Sequence, residues 1–400
     1  MRHAGGKGCE KMTNRDIANI ESRFDSGAYA MRGMALVRGM GDLVYDADGK
    51  EYIDCVSSHG SSNLGHCHPR VIEAIRRQAE LMISCPKTFY NDRSAALKEA
   101  LSGVAPAGLT NMFLVNSGTE SVEAAMKLAR SAAGGGRKNF VATIGGFHGR
   151  TMGALSLTWN KRYKEFCEPL VPGVKYARYG DAASLEQAID ENTAAVFLEP
   201  IQGESGVRIP PEGYLREVRE ICTRRGALLV LDEIQTGFGR TGLAFECLRE
   251  KVTPDIMCVA KSMAAGLPIG AMLARSDLKF KPKEHGSTFG DNPLACAAGA
   301  AAIHAMVDEE LPARAAAEGA KLMQSLKELE GNGKVREVRG RGLMIGIDLA
   351  DAPGRYVNAA IEKGLLVFPA GETVIRVYPP LVVQRKTCER IREILGEVLA

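Results

Sequence analysis

The chain has 400 residues, of which 45% are hydrophobic and 25% charged, an ordinary composition for a globular protein of two or three domains. Its 51 basic and 48 acidic residues give a net charge of only +3, too small and too dispersed for a nucleic-acid-binding surface. No apolar run approaches the ~20 residues of a membrane span, and residues 1–11 lack the apolar stretch of a signal peptide. The ten cysteines are scattered without a C-x-x-C pair. We therefore expect a cytoplasmic protein with reduced thiols that binds no membrane and no metal.

The first 60 residues predict a helix followed by short strands. Apolar residues at 36–39 and 43–45 indicate two strands, and residues 46–49 indicate a hairpin turn in which Gly49 supplies a positive φ. We expect this segment, residues 1–60, to pack with a small C-terminal domain.

Short apolar runs alternate with helical segments between residues 61 and 305. The runs at 112–115, 140–143, 195–198, 227–231 and 256–259 are typical of buried strands, and 119–131 and 213–225 of helices. This alternation predicts an α/β fold with a mostly parallel sheet flanked by helices.

The last 95 residues predict a smaller α+β domain, residues 306–400. It should contain a helix, strands at 343–349, 365–368 and 374–378, and a terminal helix.

Three polar positions follow predicted strands of the large domain. Ser117, Gly118 and Thr119 open a helix with capping-box spacing between Ser117 and Glu120, and free backbone N–H groups there could bind a phosphate. Asp232 ends an apolar strand, where α/β proteins bind ligands. Taken alone, each has an ordinary structural explanation, a well-capped helix or a solvated carboxylate.

Lys261 completes the set. It lies between apolar neighbours just past a predicted strand, where desolvation would lower its pKa and free the amine as a nucleophile; most lysines instead reach to solvent. A phosphate cradle, a carboxylate for a ring nitrogen and an amine nucleophile together are what a pyridoxal 5′-phosphate (PLP) site needs.

Other motifs are weaker indicators. Residues 237–242 fit G-x-G-x-x-G, but no convincing helix follows, so a tight loop is favoured over a dinucleotide site and an NAD-dependent oxidoreductase is only a distant alternative. His66 and His68 precede Pro69, which favours a turn before a helix over a metal site. Arg150 and Arg376 could bind substrate carboxylates, although surface positions are the default for arginines.

The sequence resembles the class III, fold type I, PLP-dependent aminotransferases over nearly its whole length. It is most similar to the group that acts on acetylornithine and on lysine intermediates linked to a carrier protein. The motifs that carry the resemblance are LGHCHP (64–69), NSGTE (116–120), GFHGRTMGALS (146–156), LEPIQGE (198–204), LLVLDEIQTGFGRTG (228–242), PDIMCVAKSMAAGLPIGA (254–271), HGSTFGDNPLACAA (285–298), RGRGLMIGI (339–347) and IRVYPPLV (375–382).

The resemblance implies roles for the site residues. The cofactor would be bound by Ser117, Gly118, Thr119, Phe147, Asp232, Gln235, Lys261 and Thr288, with Lys261 as its covalent attachment and proton carrier and Thr288 reaching the partner subunit's cofactor in a homodimer. The substrates would be bound by Tyr29, Arg150, Glu204, Ser287 and Arg376. Arg150 would bind the donor carboxylate and Arg376 the α-carboxylate of glutamate or 2-oxoglutarate, with Glu204 masking Arg376 in the other half-reaction.

The implied reaction moves the ω-amino group of N-acetylornithine to 2-oxoglutarate, as in arginine or lysine biosynthesis. The alternative donor is lysine or ornithine linked to an acidic amino-group carrier protein, for which a basic rim at Arg275, Lys279, Lys281 and Lys283 would be suited, unless it is a solvated face. Residues 57–62 are more polar than the glycine-rich segment usual in this group, which leaves the donor open.

Overall fold

The computed structural model describes residues 12–400. Its largest sheet has seven strands in the order β4-β10-β9-β8-β7-β5-β6, and all pairs are parallel except those of β10 with β4 and β9. The strands are β4 (Asn111–Val115), β5 (Asn139–Thr143), β6 (Val174–Ala177), β7 (Thr193–Leu198), β8 (Leu228–Asp232), β9 (Ile256–Val259) and β10 (Gly270–Ala274). The predicted parallel sheet and its five strands are confirmed, whereas β6 and the antiparallel β10 escaped sequence analysis.

Helices cover the large sheet, and β7 is buried at all six positions. The helices of this region are α3 (Pro69–Ala79), α4 (Asp92–Val104), α5 (Gly118–Ala132), α6 (Met152–Leu157), α7 (Ala182–Ala188), α8 (Tyr214–Arg225) and α9 (Pro293–Asp308), with 3-10 turns at Lys161–Tyr163, Glu165–Cys167, Glu246–Glu250 and Lys261–Ala264. Continuous apolar strands such as β7 are expected where both faces of a sheet are covered. The fold is that of the predicted α/β class.

The amino-terminal segment forms a second sheet with a strand from the far end of the chain. Helix α1 (Asn14–Glu21) precedes β1 (Leu36–Met40), β2 (Leu43–Asp46) and β3 (Glu51–Asp54), and β3 pairs in parallel with β13 (Leu365–Leu366). The predicted turn at 46–49 is confirmed, with Gly49 at φ +92°. The one-turn segment α2 (Ser57–Gly60) follows with left-handed backbone.

A third, antiparallel sheet has the order β11-β12-β15-β14 and packs with the remaining helices. Its strands are β11 (Val335–Arg341), β12 (Met344–Leu349), β14 (Phe368–Ala370) and β15 (Val374–Val377), and the helices are α10 (Leu311–Lys327), α11 (Gly354–Glu362) and α12 (Arg385–Leu399). The single strand predicted at 365–368 is wrong: it divides into β13 and β14, which pair in different sheets. The domain boundaries 1–60, 61–305 and 306–400 stay a prediction.

Two sequence expectations can be compared with the described residues. None of the nine cysteines between residues 12 and 400 forms a disulfide, and seven of them are buried; Cys9 and the segment 1–11 lie outside the described range. In that range no helix is long and apolar enough to cross a membrane.

Candidate active site

A cavity of about 390 Å³ lies where β4, β8 and β9 end. Because parallel strands present their carboxyl ends at one edge, the residues that follow β8 and β9 meet there. Nine of the thirteen predicted site residues line this cavity: Ser117, Gly118, Thr119, Phe147, Arg150, Glu204, Asp232, Gln235 and Lys261.

The amino end of α5 forms one wall. Ser117 Oγ accepts a hydrogen bond from the Glu120 N–H at 3.3 Å, as the capping-box spacing predicted. The reciprocal bond differs, since the Glu120 carboxylate accepts from the N–H of Asn116 at 2.7 Å instead of that of Ser117. Among the hydrogen bonds of residues 12–400, the N–H groups of Gly118 and Thr119 have no acceptor. Two free N–H groups at the positive end of a 15-residue helix fit a phosphate.

Asp232 is held at the cavity floor by a buried histidine. His148 Nδ1 lies 2.8 Å from Asp232 Oδ2, and the N–H of Ile234 donates to Oδ1 at 3.1 Å. Burial opposes protonation of His148, but its hydrogen bond to Asp232 and the charges of Asp232 and Glu199 outweigh it and raise the pKa of His148. These two contacts fix the orientation of the Asp232 carboxylate at the cavity, as a group that would pair with a ring nitrogen requires.

Lys261 projects into the cavity from a strained backbone. Its φ is +35°, in the left-handed region that a residue with a Cβ rarely adopts, and such strain persists only where the surroundings enforce it. Desolvation lowers the pKa of Lys261, although the charges of Glu204 and Asp232 oppose the shift. Its amine is therefore deprotonated more readily than that of an ordinary lysine, as the sequence predicted.

Arg376 and Glu204 form a bidentate pair beside the cavity. Arg376 Nη1 lies 2.5 Å from Glu204 Oε1 and Nη2 lies 3.2 Å from Oε2, while the Arg376 guanidinium also stacks 3.9 Å from the Phe368 ring centroid. Burial raises the pKa of Glu204, but the adjacent Arg376 outweighs it and the net pKa is lowered. Gln235 donates to Glu204 at 3.4 Å and accepts from Tyr378 at 3.1 Å, which holds the pair in position.

Arg150 lies at the mouth of the cavity and has an aromatic neighbour. Its guanidinium carbon is 3.6 Å from the Tyr163 ring centroid and 5.8 Å from that of Phe147. No Asp or Glu among the described residues lies within salt-bridge distance of Arg150. An exposed, unpaired guanidinium at a cavity mouth can bind a carboxylate.

Four predicted residues do not line this cavity. One of them, Arg376, is connected to it through its contact with Glu204; the other three are Ser287, Thr288 and Tyr29. Ser287 is linked to it through a hydrogen bond from the Asn116 side chain at 3.2 Å. Thr288 and Tyr29 are exposed, and Tyr29 lies in the segment before β1, with 79% of its surface accessible. A single subunit therefore does not bring Thr288 or Tyr29 to the cavity.

Sequence reasoning missed His148, Glu199 and Tyr163. Glu199 lines the cavity, accepts from the Phe147 N–H at 2.8 Å, and has its pKa raised to about 7 by burial. His148 and Glu199 lie inside motifs that carried the resemblance, but they contact Asp232 and Phe147 only after distant segments pack together. The sequence signal that could have identified them is a titratable residue, His148 or Glu199, within a motif that is otherwise buried.

The weaker motifs have structural explanations. The 237–242 loop is buried and is not followed by an α-helix: a Cβ at Gly239 would lie 2.6 Å from Leu381, and one at Gly242 would lie 2.9 Å from Ala316. His66 Nε2 lies 2.7 Å from Asp54, and His68 immediately precedes α3. No cluster of three possible metal ligands occurs in residues 12–400. Of the predicted basic rim, Arg275 is paired with Asp255 and Asp277.

Comparison with known proteins identifies the family. The pattern of the family "Aminotransferase class-III" matches residues 25–399. The chain belongs to the class III aminotransferases. Enzymes of this class use PLP, and the free N–H groups of α5, the Asp232–His148 pair and the Lys261 amine fit that cofactor.

Individual relatives cover almost the entire chain. The acetylornithine aminotransferase of Methanopyrus kandleri is 46% identical over 96% of this chain and 99% of its own. The [LysW]-aminoadipate semialdehyde transaminase of Deinococcus radiodurans is 42% identical over 95% and 89%. The solved ornithine aminotransferase of Toxoplasma gondii, whose crystals showed partial occupancy of PLP at the active site, superimposes with a TM-score of 0.92 at 34% identity, over 98% of this chain and 95% of its own. The aminotransferase activity and the fold type are thus confirmed, and the oxidoreductase alternative is wrong.

Proposed function

We propose that this enzyme transfers the ω-amino group of N-acetylornithine to 2-oxoglutarate. Support comes from the 46% identical acetylornithine aminotransferase and from two arginines at the cavity, Arg150 in its lining and Arg376 bound to the lining residue Glu204. Arg150 is unpaired at the cavity mouth, whereas Arg376 is neutralised by Glu204. The Arg376–Glu204 pair carries the proposal, since it allows one cavity to accept two substrates of different charge.

We assign the cofactor to the residues that the sequence indicated. Gly118, Thr119 and the cap residue Ser117 would hold the phosphate, Phe147 would lie against the ring, and Asp232 would pair with the ring nitrogen. When bound, PLP supplies an electron sink that stabilises negative charge at the substrate carbon. Lys261 would hold the cofactor covalently and, once released, its Nζ would carry the proton, a contribution of about 10²–10⁴-fold in general acid–base catalysis.

The remaining residues would select the substrates. Arg150 would bind the donor carboxylate, with Ser287 nearby, while Glu204 keeps Arg376 neutral. In the second half-reaction the α-carboxylate of glutamate or 2-oxoglutarate would displace Glu204 from Arg376. Gln235 limits where Glu204 can move, because it bonds to both Glu204 and Tyr378.

The second candidate donor is lysine or ornithine linked to an acidic carrier protein. The 42% identical [LysW]-aminoadipate semialdehyde transaminase favours it. The two donors share the chemistry at Lys261 and differ in the group on the α-nitrogen and, for lysine, also in one additional side-chain methylene. Comparing kcat/KM for free and carrier-linked donors separates them.

We also propose a homodimer in which Thr288 completes the partner's cofactor site. Thr288 and its neighbour Phe289 are exposed, and so are Phe24, Tyr29, Met31 and Tyr90, an unusual number of large apolar side chains for a free surface. Mixed dimers of Lys261→Ala and Thr288→Ala subunits test this arrangement, because one of their two sites carries neither change. Activity no higher than the mean of the two parent variants would contradict a shared site.

The first experiment is an absorption spectrum of the purified enzyme. We expect the band of the covalently bound cofactor to disappear on addition of N-acetylornithine and to return with 2-oxoglutarate. A band that ignores N-acetylornithine but responds to glutamate would shift the assignment to the carrier-linked donor. No band after addition of PLP would refute the assignment of Lys261.

A further inference from the structure

A second cleft lies beside the active-site cavity. It has a volume of about 290 Å³ and shares Phe147 and Glu204 with the cavity as common walls. The cleft is lined further by Trp159, Asn160, Lys161, Arg162, Tyr163, Ser205 and Glu372, and by glycines at 145, 146 and 371. The two spaces therefore adjoin each other, and none of the roles above uses the second one.

Arg150 stands where the two spaces meet. It lines the cavity, and its guanidinium stacks at 3.6 Å on Tyr163, which lines the cleft. A donor whose α-carboxylate binds Arg150 therefore has its α-carbon close to the junction. The α-nitrogen is attached to that same carbon, so a group on this nitrogen must begin at the junction as well.

The cleft has an excess of unpaired positive charge. Lys161 and Arg162 are both exposed, and neither has an acidic partner within salt-bridge distance among residues 12–400. The acidic residues of the lining are Glu204, which Arg376 neutralises, and Glu372. Trp159 is fixed against Tyr176, with ring centroids 5.0 Å apart, and offers an apolar surface beside these charges.

We propose that the cleft binds the acyl arm on the α-nitrogen of the donor and that Lys161 and Arg162 favour arms that carry a carboxylate. This inference rests on the proposed function. The side chain of the donor extends toward Lys261 in the cavity, the carboxylate meets Arg150, and the acyl arm leaves along Trp159 toward the two cations. An acidic segment linked through the same amide would follow the same course.

Donors with matched arms test the cleft. Nα-glutarylornithine and Nα-pentanoylornithine have arms of equal length that differ in one carboxylate. We expect the wild-type enzyme to prefer the glutaryl donor and the double variant Lys161→Gln/Arg162→Gln to lose about tenfold of that preference in kcat/KM, as for two partly exposed charge contacts. Raising the salt concentration should reduce the preference of the wild type in the same direction.

A second pair of adjacent cations provides the control. Arg224→Gln/Arg225→Gln removes the same charge from α8, away from both spaces, and should leave the preference unchanged. A preference that survives in the Lys161/Arg162 variant, or that falls equally in the control, would overturn the inference. Calorimetry of both donors binding to the Lys261→Ala variant, with and without the Lys161/Arg162 changes, measures the same preference as a ratio of dissociation constants in the absence of turnover. Absence of N-acetylornithine turnover by the wild type would instead refute the proposed function.

Discussion

Replacing Glu204 by Gln should change the two half-reactions in opposite directions. Because the pKa of Glu204 is lowered, this carboxylate is ionised at neutral pH and neutralises Arg376 through contacts of 2.5 and 3.2 Å. Glutamine keeps the size of the side chain and loses its charge. The carboxylate of glutamate then displaces a weaker competitor, whereas an ω-ammonium donor meets an uncompensated cation.

The geometry sets the size of the effect. Two charges about 4 Å apart interact by about 4 kcal/mol at an effective dielectric constant of ~20. Desolvation offsets most of this interaction, and we expect about 1.4 kcal/mol, or tenfold, to remain in each half-reaction. The kcat/KM for glutamate should therefore rise and that for N-acetylornithine fall, changing their ratio about 100-fold.

Single-turnover absorbance measurements of each half-reaction supply both constants. Glu220→Gln is the matched control, since Glu220 is exposed on α8 and lines neither the cavity nor the adjacent cleft. A change of both half-reactions by the same factor would refute the role of the Arg376–Glu204 pair as a switch between substrates.

Three further predictions concern the surroundings of the cavity. Lys261→Ala should reduce turnover by at least about 10²–10⁴-fold, and borohydride reduction followed by mass spectrometry should find no cofactor attached; intact turnover would overturn the mechanism. Because burial raises the pKa of Glu199 from its usual 4.5 to about 7, the folded state binds more protons than the unfolded state in that window, so stability falls as the pH rises through it. Urea unfolding should show that the free energy of unfolding falls between pH 5 and pH 8, and that this fall is smaller in Glu199→Gln by up to about 3 kcal/mol. The same fall in both proteins would argue against this titration. Gly203→Ala should weaken cofactor retention in equilibrium dialysis, since its Cβ would lie 1.5 Å from Gln235 Oε1, whereas Gly103→Ala, with open space around it, should not; equal retention would show that Gln235 is free to move.

The order and type of most elements could be predicted from local pattern. The apolar runs that became β4, β5, β7, β8 and β9 are continuous because both faces of the sheet are covered, and this makes them visible in sequence. Strand β10 lies among small residues of a motif and pairs in the opposite direction, so its pattern carried no distinct signal. The prediction of a single strand at 365–368 was wrong for a related reason, because periodicity shows that a strand exists but not which sheet it joins.

The residues of the candidate site likewise include some that local sequence identified and others whose contacts join distant segments. Asp232 and Lys261 were identified because each follows an apolar strand, and the chain itself fixes that position relative to the sheet edge. The Arg376–Glu204 pair was supported only by resemblance, because its two residues are 172 positions apart. His148 was missed altogether, since its contact with Asp232 spans 84 positions.

The sequence alone determined the alternation of strands and helices and the polar residues at strand ends, because both follow from contacts within a few residues. Only the tertiary structure decided which charges neutralise each other, that Lys261 stands on a left-handed backbone, and that a second cleft adjoins the cavity. Those properties depend on burial and on distances between remote segments. No local pattern encodes them until the sheets and helices have packed.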